Sequence, residues 1–307
     1  MSSVNRRTVL LGAGAGILGG CGVGDEFAGG SRKQPKGGIG GTGIVGTLTD
    51  FGSLIINGLR VTVPVDLRVG SALGPVSQDR LAIGQTLTVE AETVTGSLIA
   101  RRVDIMHPVI GRVGKVAADG RSVEVAGIPV RVEPGAFAQV RDGATVAVSG
   151  VWNQSEIIAS RIAPVEDTPQ VVVAGTVRLS ADTGEWRIGA MPVILPNGVS
   201  AQDGAFATVR GYLHGNRMKI ERYQPGRFVG AAGPLVALSV EGYLAPTPQA
   251  PFQTVDGLGH SFSEDSQLDP YVGRRTLFRG GYDGTFRVED GVVLEEAFDA
   301  RRRQLAL

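Results

Sequence analysis

The stretch Ala126-Gly127-Ile128-Pro129-Val130-Arg131-Val132, followed by Arg141-Asp142-Gly143-Ala144-Thr145-Val146-Ala147-Val148-Ser149-Gly150, decides the fold class. In both runs apolar residues alternate with polar or small ones, which is the period of a strand with one buried face. Ala126-Gly127 and Asp142-Gly143 supply turn residues ahead of each run. Adding Arg112 to Val116, Ser122 to Val125 and Ser155 to Ile162 gives five short strands between Ile110 and Val165.

Outward from this unit, the rest of the chain reads as imperfect copies of it. The copies span residues 43–108, 109–168, 169–226 and 238–300, the last being the most degenerate. Asn57-Gly58-Leu59-Arg60-Val61-Thr62-Val63 matches the run at Ala126, and Ile83-Gly84-Gln85-Thr86-Leu87-Thr88-Val89 matches the run at Asp142. The third copy carries Ile188-Gly189-Ala190-Met191-Pro192-Val193-Ile194 and Gln202-Asp203-Gly204. The fourth carries Asp256-Gly257-Leu258, Tyr271-Val272-Gly273-Arg274 and a last strand expected at Val292 to Phe298. Taking Gly46, Gly114, Gly175 and Gly242 as equivalent gives steps of 68, 61 and 67 residues, a domain-sized period rather than a solenoid repeat of about 20 to 50. Five strands in so short a unit suit a closed barrel, which removes exposed sheet edges. The expected fold is therefore all-β: tandem small OB-like five-stranded β-barrels, with small β-sandwiches as the alternative. Pro-bearing joints at His107-Pro108, Ala163-Pro164 to Gln170 and Gln224-Pro225 to Pro234 are expected to separate the copies, and residues 301–307 read as a basic tail.

Ahead of the repeats, residues 1–21 have the pattern of an export signal with a lipobox. Arg6 and Arg7 in Asn5-Arg6-Arg7-Thr8-Val9-Leu10-Leu11 resemble a twin-arginine motif, and the apolar run that follows is shorter than the about 20 residues a membrane span needs. Leu18-Gly19-Gly20-Cys21 resembles the bacterial lipobox, with Gly19 departing from its commoner residues, and makes Cys21 the expected lipidation site. Residues 22–42 are Gly-rich and polar, too poor in apolar surface to offset chain entropy, and read as a tether. Gly22 rather than an acidic residue after Cys21 points to the outer membrane, with the protein facing the periplasm or the cell surface.

Composition narrows the function classes. Lys and Arg total 30 against 30 Asp and Glu, and loss of Arg6 and Arg7 with the signal leaves a small acidic excess. Nucleic-acid partners are not expected, since they call for a basic surplus. The single cysteine excludes an internal disulfide. His107, His214 and His260 fall at non-equivalent places, so no metal site and no cofactor are expected. The matches to G-x-G-x-x-G at Gly14 and Gly38 lack the βαβ context that gives such glycines a dinucleotide role. Neither G-x-S-x-G nor S-x-x-K occurs, and the Ser261 and Asp265 neighbours of His260 share a single loop, so no catalytic residues are expected. Trp152, Trp186, Tyr212, Tyr223 and Phe51 do not recur at equivalent positions and read as core or turn packing. One polar position does recur: Arg102, Arg161 and Arg222 stand at the same place in strand five of the first three copies, with Ala297 as the fourth-copy counterpart. A planar guanidinium donating two parallel hydrogen bonds suits a carboxylate or phosphate, which makes these three the candidate anion-binding residues.

The recurring G-x-V, V-x-G-x-x-V-x-V and I-x-A-x-R-I patterns over most of residues 43–299 resemble the bacterial extracytoplasmic domain of unknown function 5666. That resemblance implies an OB-like barrel and an envelope location, and it carries no activity, cofactor or catalytic residue. The sequence thus leads to a non-enzymatic envelope lipoprotein held to the membrane through a lipid anchor, with an envelope protein as its partner in a binding or scaffold role. The alternative is a periplasmic binding protein for an anionic small molecule or oligosaccharide.

Overall fold

Residues 40–248, 250–258 and 262–306 are described by a computed structural model. Arg6, Arg7, Cys21, His260 and Ser261 lie outside the described residues. The first barrel comprises β1 (Gly41–Asp50), β2 (Leu54–Ile56), β3 (Leu59–Thr62), β4 (Val69–Ser71), β5 (Thr86–Val94) and β6 (Ser97–Met106). Apart from β4 these strands form a closed ring: β1 pairs β2, β2 pairs β3, β3 runs parallel to β6, β6 pairs β5 and β5 returns to β1. The second ring uses β7 (Val109–Val116), β8 (Ser122–Val125), β9 (Ile128–Ala138), β10 (Thr145–Asn153) and β11 (Glu156–Pro164). The third uses β12 (Val171–Leu179), β13 (Trp186–Ile188), β14 (Met191–Ile194), β15 (Phe206–His214) and β16 (Arg217–Pro225). Each repeats the same order, including one parallel contact between its third and fifth strands. This is the connectivity of the OB-like barrel, and it leaves no open edge within a ring.

Local chemistry explains the hairpins. Asn57 and Gly58 have φ of 56° and 68°, and Ala126 and Gly127 have 50° and 82°. Two successive positive φ values give the tight turn whose twist matches the flanking strands, and glycine at the second position relieves the strain. Each turn tucks under the first strand of its barrel. A Cβ on Gly46 would fall on the Asn57 side chain, and one on Gly111 would lie 2.8 Å from the Ala126 Cβ. The cross-strand partners of these glycines are Leu87 and Val146, and in the later copies Gly175 faces Ala207 and Gly242 faces Thr276. The second-copy counterpart of Gly46 is therefore Gly111, not Gly114, which sits where the β7–β8 register shifts.

The fourth copy is open among the described residues. β17 (Leu235–Gly242) pairs β20 (Thr276–Tyr282), which pairs β21 (Phe286–Val293), while β18 (Leu244–Pro246) and β19 (Gln253–Val255) form a separate hairpin. Its last strand lies earlier than the alternation suggested. β21 ends at Val293, and the residue paired with the fourth strand at its bulge is Asp290 opposite Arg279. Asp290, not Ala297, is thus the counterpart of Arg102, Arg161 and Arg222.

The copies do not hang apart on their joints. β1 runs parallel to β17, merging the first and fourth copies into one sheet, and β7 pairs β12 antiparallel, merging the second and third. The second and third barrels share one apolar core that includes Val148, Trp152, Val173 and Val209. A buried charge cluster ties the remaining faces. Arg275 donates to Glu241 at 2.7 Å and to Glu133 at 2.6 Å, and Arg301 donates to Glu133 at 2.5 Å and lies 3.3 Å from Glu241. Both arginines are fully buried. Arg301 belongs to α1 (Phe298–Leu305), so the basic C-terminus is a packed helix rather than a tail. The other Glu241 oxygen accepts the Thr47 N–H at 2.7 Å. Burial would raise the Glu241 carboxyl, but Arg275 and Arg301 hold it below its ordinary value.

Candidate functional site: a basic groove between the first and third barrels

The first barrel departs from the others in the long connection between its third and fourth strands, residues 63–85. In it β4 adds beside β6 in parallel and a turn follows at Ala72-Leu73. This insertion forms one wall of a groove of about 380 Å³, with Arg68, Ser71 and Pro75 upon it and Arg102, Asp104 and Met106 beside it on β6. The opposite wall is the outer face of the third barrel, where Phe206, Thr208 and Gln224 line it. Their positions follow from strand alternation: Ala207 and Val209 fill the barrel core and Tyr223 packs against it, which turns Phe206, Thr208 and Gln224 outward. The floor is the joint that follows β16, with Gly226, Arg227 and Val229, and His107 closes one end.

Arg227 is partly buried and is placed by several neighbours. The joint is fixed by the buried carboxylate of Glu90, which accepts the Val229 N–H at 2.7 Å and the Ala231 N–H at 2.6 Å. The guanidinium stacks 3.9 Å above the Phe206 ring and donates to Thr88 Oγ1 at 3.2 Å and to the Gly257 carbonyl. Among the described residues no carboxylate comes within ion-pair distance of it, and its Nε is buried with no acceptor. Burial pushes its pKa down to about 9, so it still carries a proton at neutral pH. A desolvated charge without a counter-ion is costly in a folded protein. On its other side Arg227 borders a small space of about 30 Å³ that Trp152, Glu241 and Asp256 also line.

Of the remaining ionisable groups of the groove, exposed Arg68 forms no ion pair among the described residues, whereas Arg102, Asp104 and His107 are compensated or neutral. Arg102 is forked onto Asp104, with Nη2 3.0 Å from Oδ1. His107 lies 3.2 Å from the Val148 carbonyl through Nδ1, and burial, opposed by that hydrogen bond, lowers its pKa to about 4. It is therefore uncharged at neutral pH.

The three arginines proposed from sequence do share a register position: Glu90 faces Arg102, Ser149 faces Arg161 and Arg210 faces Arg222, each beside a bulge. They do not gather at one point. Arg102 lines the groove, and Arg222 lies two residues before Gln224 on the same outer face of β16. Arg161 is elsewhere, over the Phe137 ring at 4.1 Å and donating to the Ile83 carbonyl. Arg227 carried no pattern in the sequence, since it is a single arginine within a Gly/Pro joint. Of the aromatic residues, Trp152 is core, whereas Phe51 and Tyr212 are exposed.

No family model matches the chain, and no curated protein or solved structure shows significant similarity to it.

Proposed function

We propose that the chain is a non-enzymatic binding module of the bacterial envelope, tethered through Cys21, whose ligand is an anion held in the groove between the first and third barrels. The observation that carries this reading is Arg227: a partly buried guanidinium on the groove floor with its Nε enclosed, held in place by stacking and neutral acceptors and, among the described residues, lacking a carboxylate. An anionic ligand supplies the missing counter-charge, and Arg68 at the mouth adds attraction at longer range. The neighbouring walls offer hydroxyl and amide groups in Ser71, Thr208 and Gln224, which suits a ligand that also carries hydroxyls. The packing of all four copies against one another supports a rigid platform for such a site.

Calorimetric titration with galacturonate, a sugar carrying one carboxylate, and with inorganic phosphate tests the reading. Saturable binding by the parent protein, weakened at least tenfold in Arg227→Met, is the expected result. Equal affinities for parent and variant, with both folded by circular dichroism, remove the groove from consideration. Membrane fractionation of Cys21→Ser tests the tether separately: release of the variant into the soluble fraction is expected, and unchanged membrane association contradicts it.

A further inference from the structure

The register position shared by the four copies carries a different combination of charges in each. At that position the facing residues are Glu90 with Arg102, Ser149 with Arg161, Arg210 with Arg222 and Arg279 with Asp290. Only the third copy places two like charges directly opposite each other, an arrangement that is destabilising across an antiparallel pair. Neither arginine has an acid within ion-pair distance among the described residues. Arg210 donates to the Ala72 carbonyl at 2.9 Å and lies 3.5 Å from the amide oxygen of Gln170, and Arg222 is exposed. The third copy is also the one whose outer face lines the groove.

From Phe206, on which Arg227 stacks, to Arg210 is four residues along β15, roughly 13 Å at the usual rise of a strand. Thr208 and Gln224 lie between. We infer that the groove and the outer face of β15 and β16 together form one extended site for an acidic oligosaccharide, with one carboxylate at Arg227, another at the Arg210–Arg222 pair and sugar hydroxyls on Thr208 and Gln224. A single-stranded nucleic acid fits less well, because stacking needs an open aromatic face and Phe206 is buried beneath Arg227. This inference rests on the anion reading of the groove, and its test separates the two.

The probes are galacturonate and its linear tetramer, titrated against the parent protein, Arg227→Met, Arg222→Gln and the double variant Arg210→Gln/Arg222→Gln. The single Arg222 change removes an exposed side chain that makes no hydrogen bond among the described residues, so it keeps the fold intact should loss of Arg210 disturb the contact with Ala72. The tetramer should bind the parent at least tenfold more tightly than the monomer. Arg222→Gln and the double variant should bring the tetramer toward monomer affinity and leave the monomer unchanged, while Arg227→Met should weaken both. If the tetramer keeps its advantage in Arg222→Gln and in the double variant, the extension is wrong, though the groove reading stands as long as Arg227→Met weakens the monomer. Absence of binding of either probe to the parent overturns both readings. Tighter binding of linear polyphosphate of matched length than of the tetramer overturns the saccharide assignment.

Discussion

Two sets of arginines in this molecule, one fully buried and one partly buried, are built on opposite terms. Arg275 and Arg301 are enclosed by two carboxylates, Glu133 and Glu241, in a cluster whose formal charges cancel, with the spare Glu241 oxygen satisfied by a backbone N–H. Arg227 is partly exposed, and among the described residues its direct contacts are a ring, a hydroxyl and a carbonyl. In the first set every charge has its partner within the chain, and its elements come from three of the four copies and the C-terminal helix. In the second no carboxylate partner lies among the described residues. The first arrangement serves to fix the copies together; the second has the form of a site that a ligand completes.

Breaking the compensated set should have the largest effect. Arg301→Met leaves Glu133 and Glu241 buried with one cation between them, which should cost about 3–5 kcal/mol in urea-induced unfolding. Adding Glu133→Leu to it should recover part of that loss, since the remaining pair is again neutral; a further loss would show that the cluster is not acting as a charge-balanced unit.

The same kind of change on the other side should act in the opposite sense. Without ligand, Arg227→Met removes a desolvated charge while keeping apolar cover on Phe206, so stability should be unchanged or up to about 2 kcal/mol higher. A clear destabilisation in the unfolding curve would mean that Arg227 is structural after all.

Smaller effects come from two groups that titrate in the same window with opposite signs. Burial raises the Asp256 carboxyl to about 6, against opposing contributions from Arg178 and the backbone N–H groups of Gln154 and Gly257. Unfolded, it ionises near 3.8, so its penalty is absent below that pH, grows as pH rises towards 6 and is complete above it. Asp256→Asn should match the parent near pH 3.5 and exceed it by about 1–2 kcal/mol at pH 7.5. His107 works the other way: with its pKa lowered to about 4 from 6.5, the unfolded chain takes up the proton first as pH falls, and stability declines between those values. His107→Gln should flatten that decline in melts recorded from pH 7 to 4.

The smallest effect calibrates the rest. Arg112 and Asp167 form an exposed pair at 3.0 Å, and Arg112→Ala should cost under about 1 kcal/mol. A loss comparable to that of Arg301→Met would undermine the distinction between enclosed and solvated charge.

The barrels were legible in the sequence because strand alternation and turn chemistry are local. Val130, Val146 and Val148 point inward on the period their spacing predicts, and Asn57-Gly58 makes the turn its residues favour. Register was less legible. Gly111 and Gly114 both suit the first strand of the second copy, and only the cross-strand partner Val146 distinguishes them. The same ambiguity displaced the fourth-copy counterpart from Asp290 to Ala297. What joins the copies was not legible at all: Glu133 meets Arg301 across 168 residues, and β1 meets β17 by parallel pairing that leaves no pattern in either strand. The site was half visible. Arg102 and Arg222 stood out by recurrence, whereas Arg227 depends on Glu90 anchoring a joint from another copy.

The most direct test of the account is thermal unfolding of the parent, Arg227→Met and Arg301→Met, each with and without saturating galacturonate tetramer. The account predicts that the ligand raises the parent's melting temperature, that Arg301→Met melts lower yet keeps the ligand-induced rise, and that Arg227→Met melts no lower than the parent and loses the rise. An unchanged rise in Arg227→Met, or a fall in its ligand-free melting temperature as large as that of Arg301→Met, would contradict it.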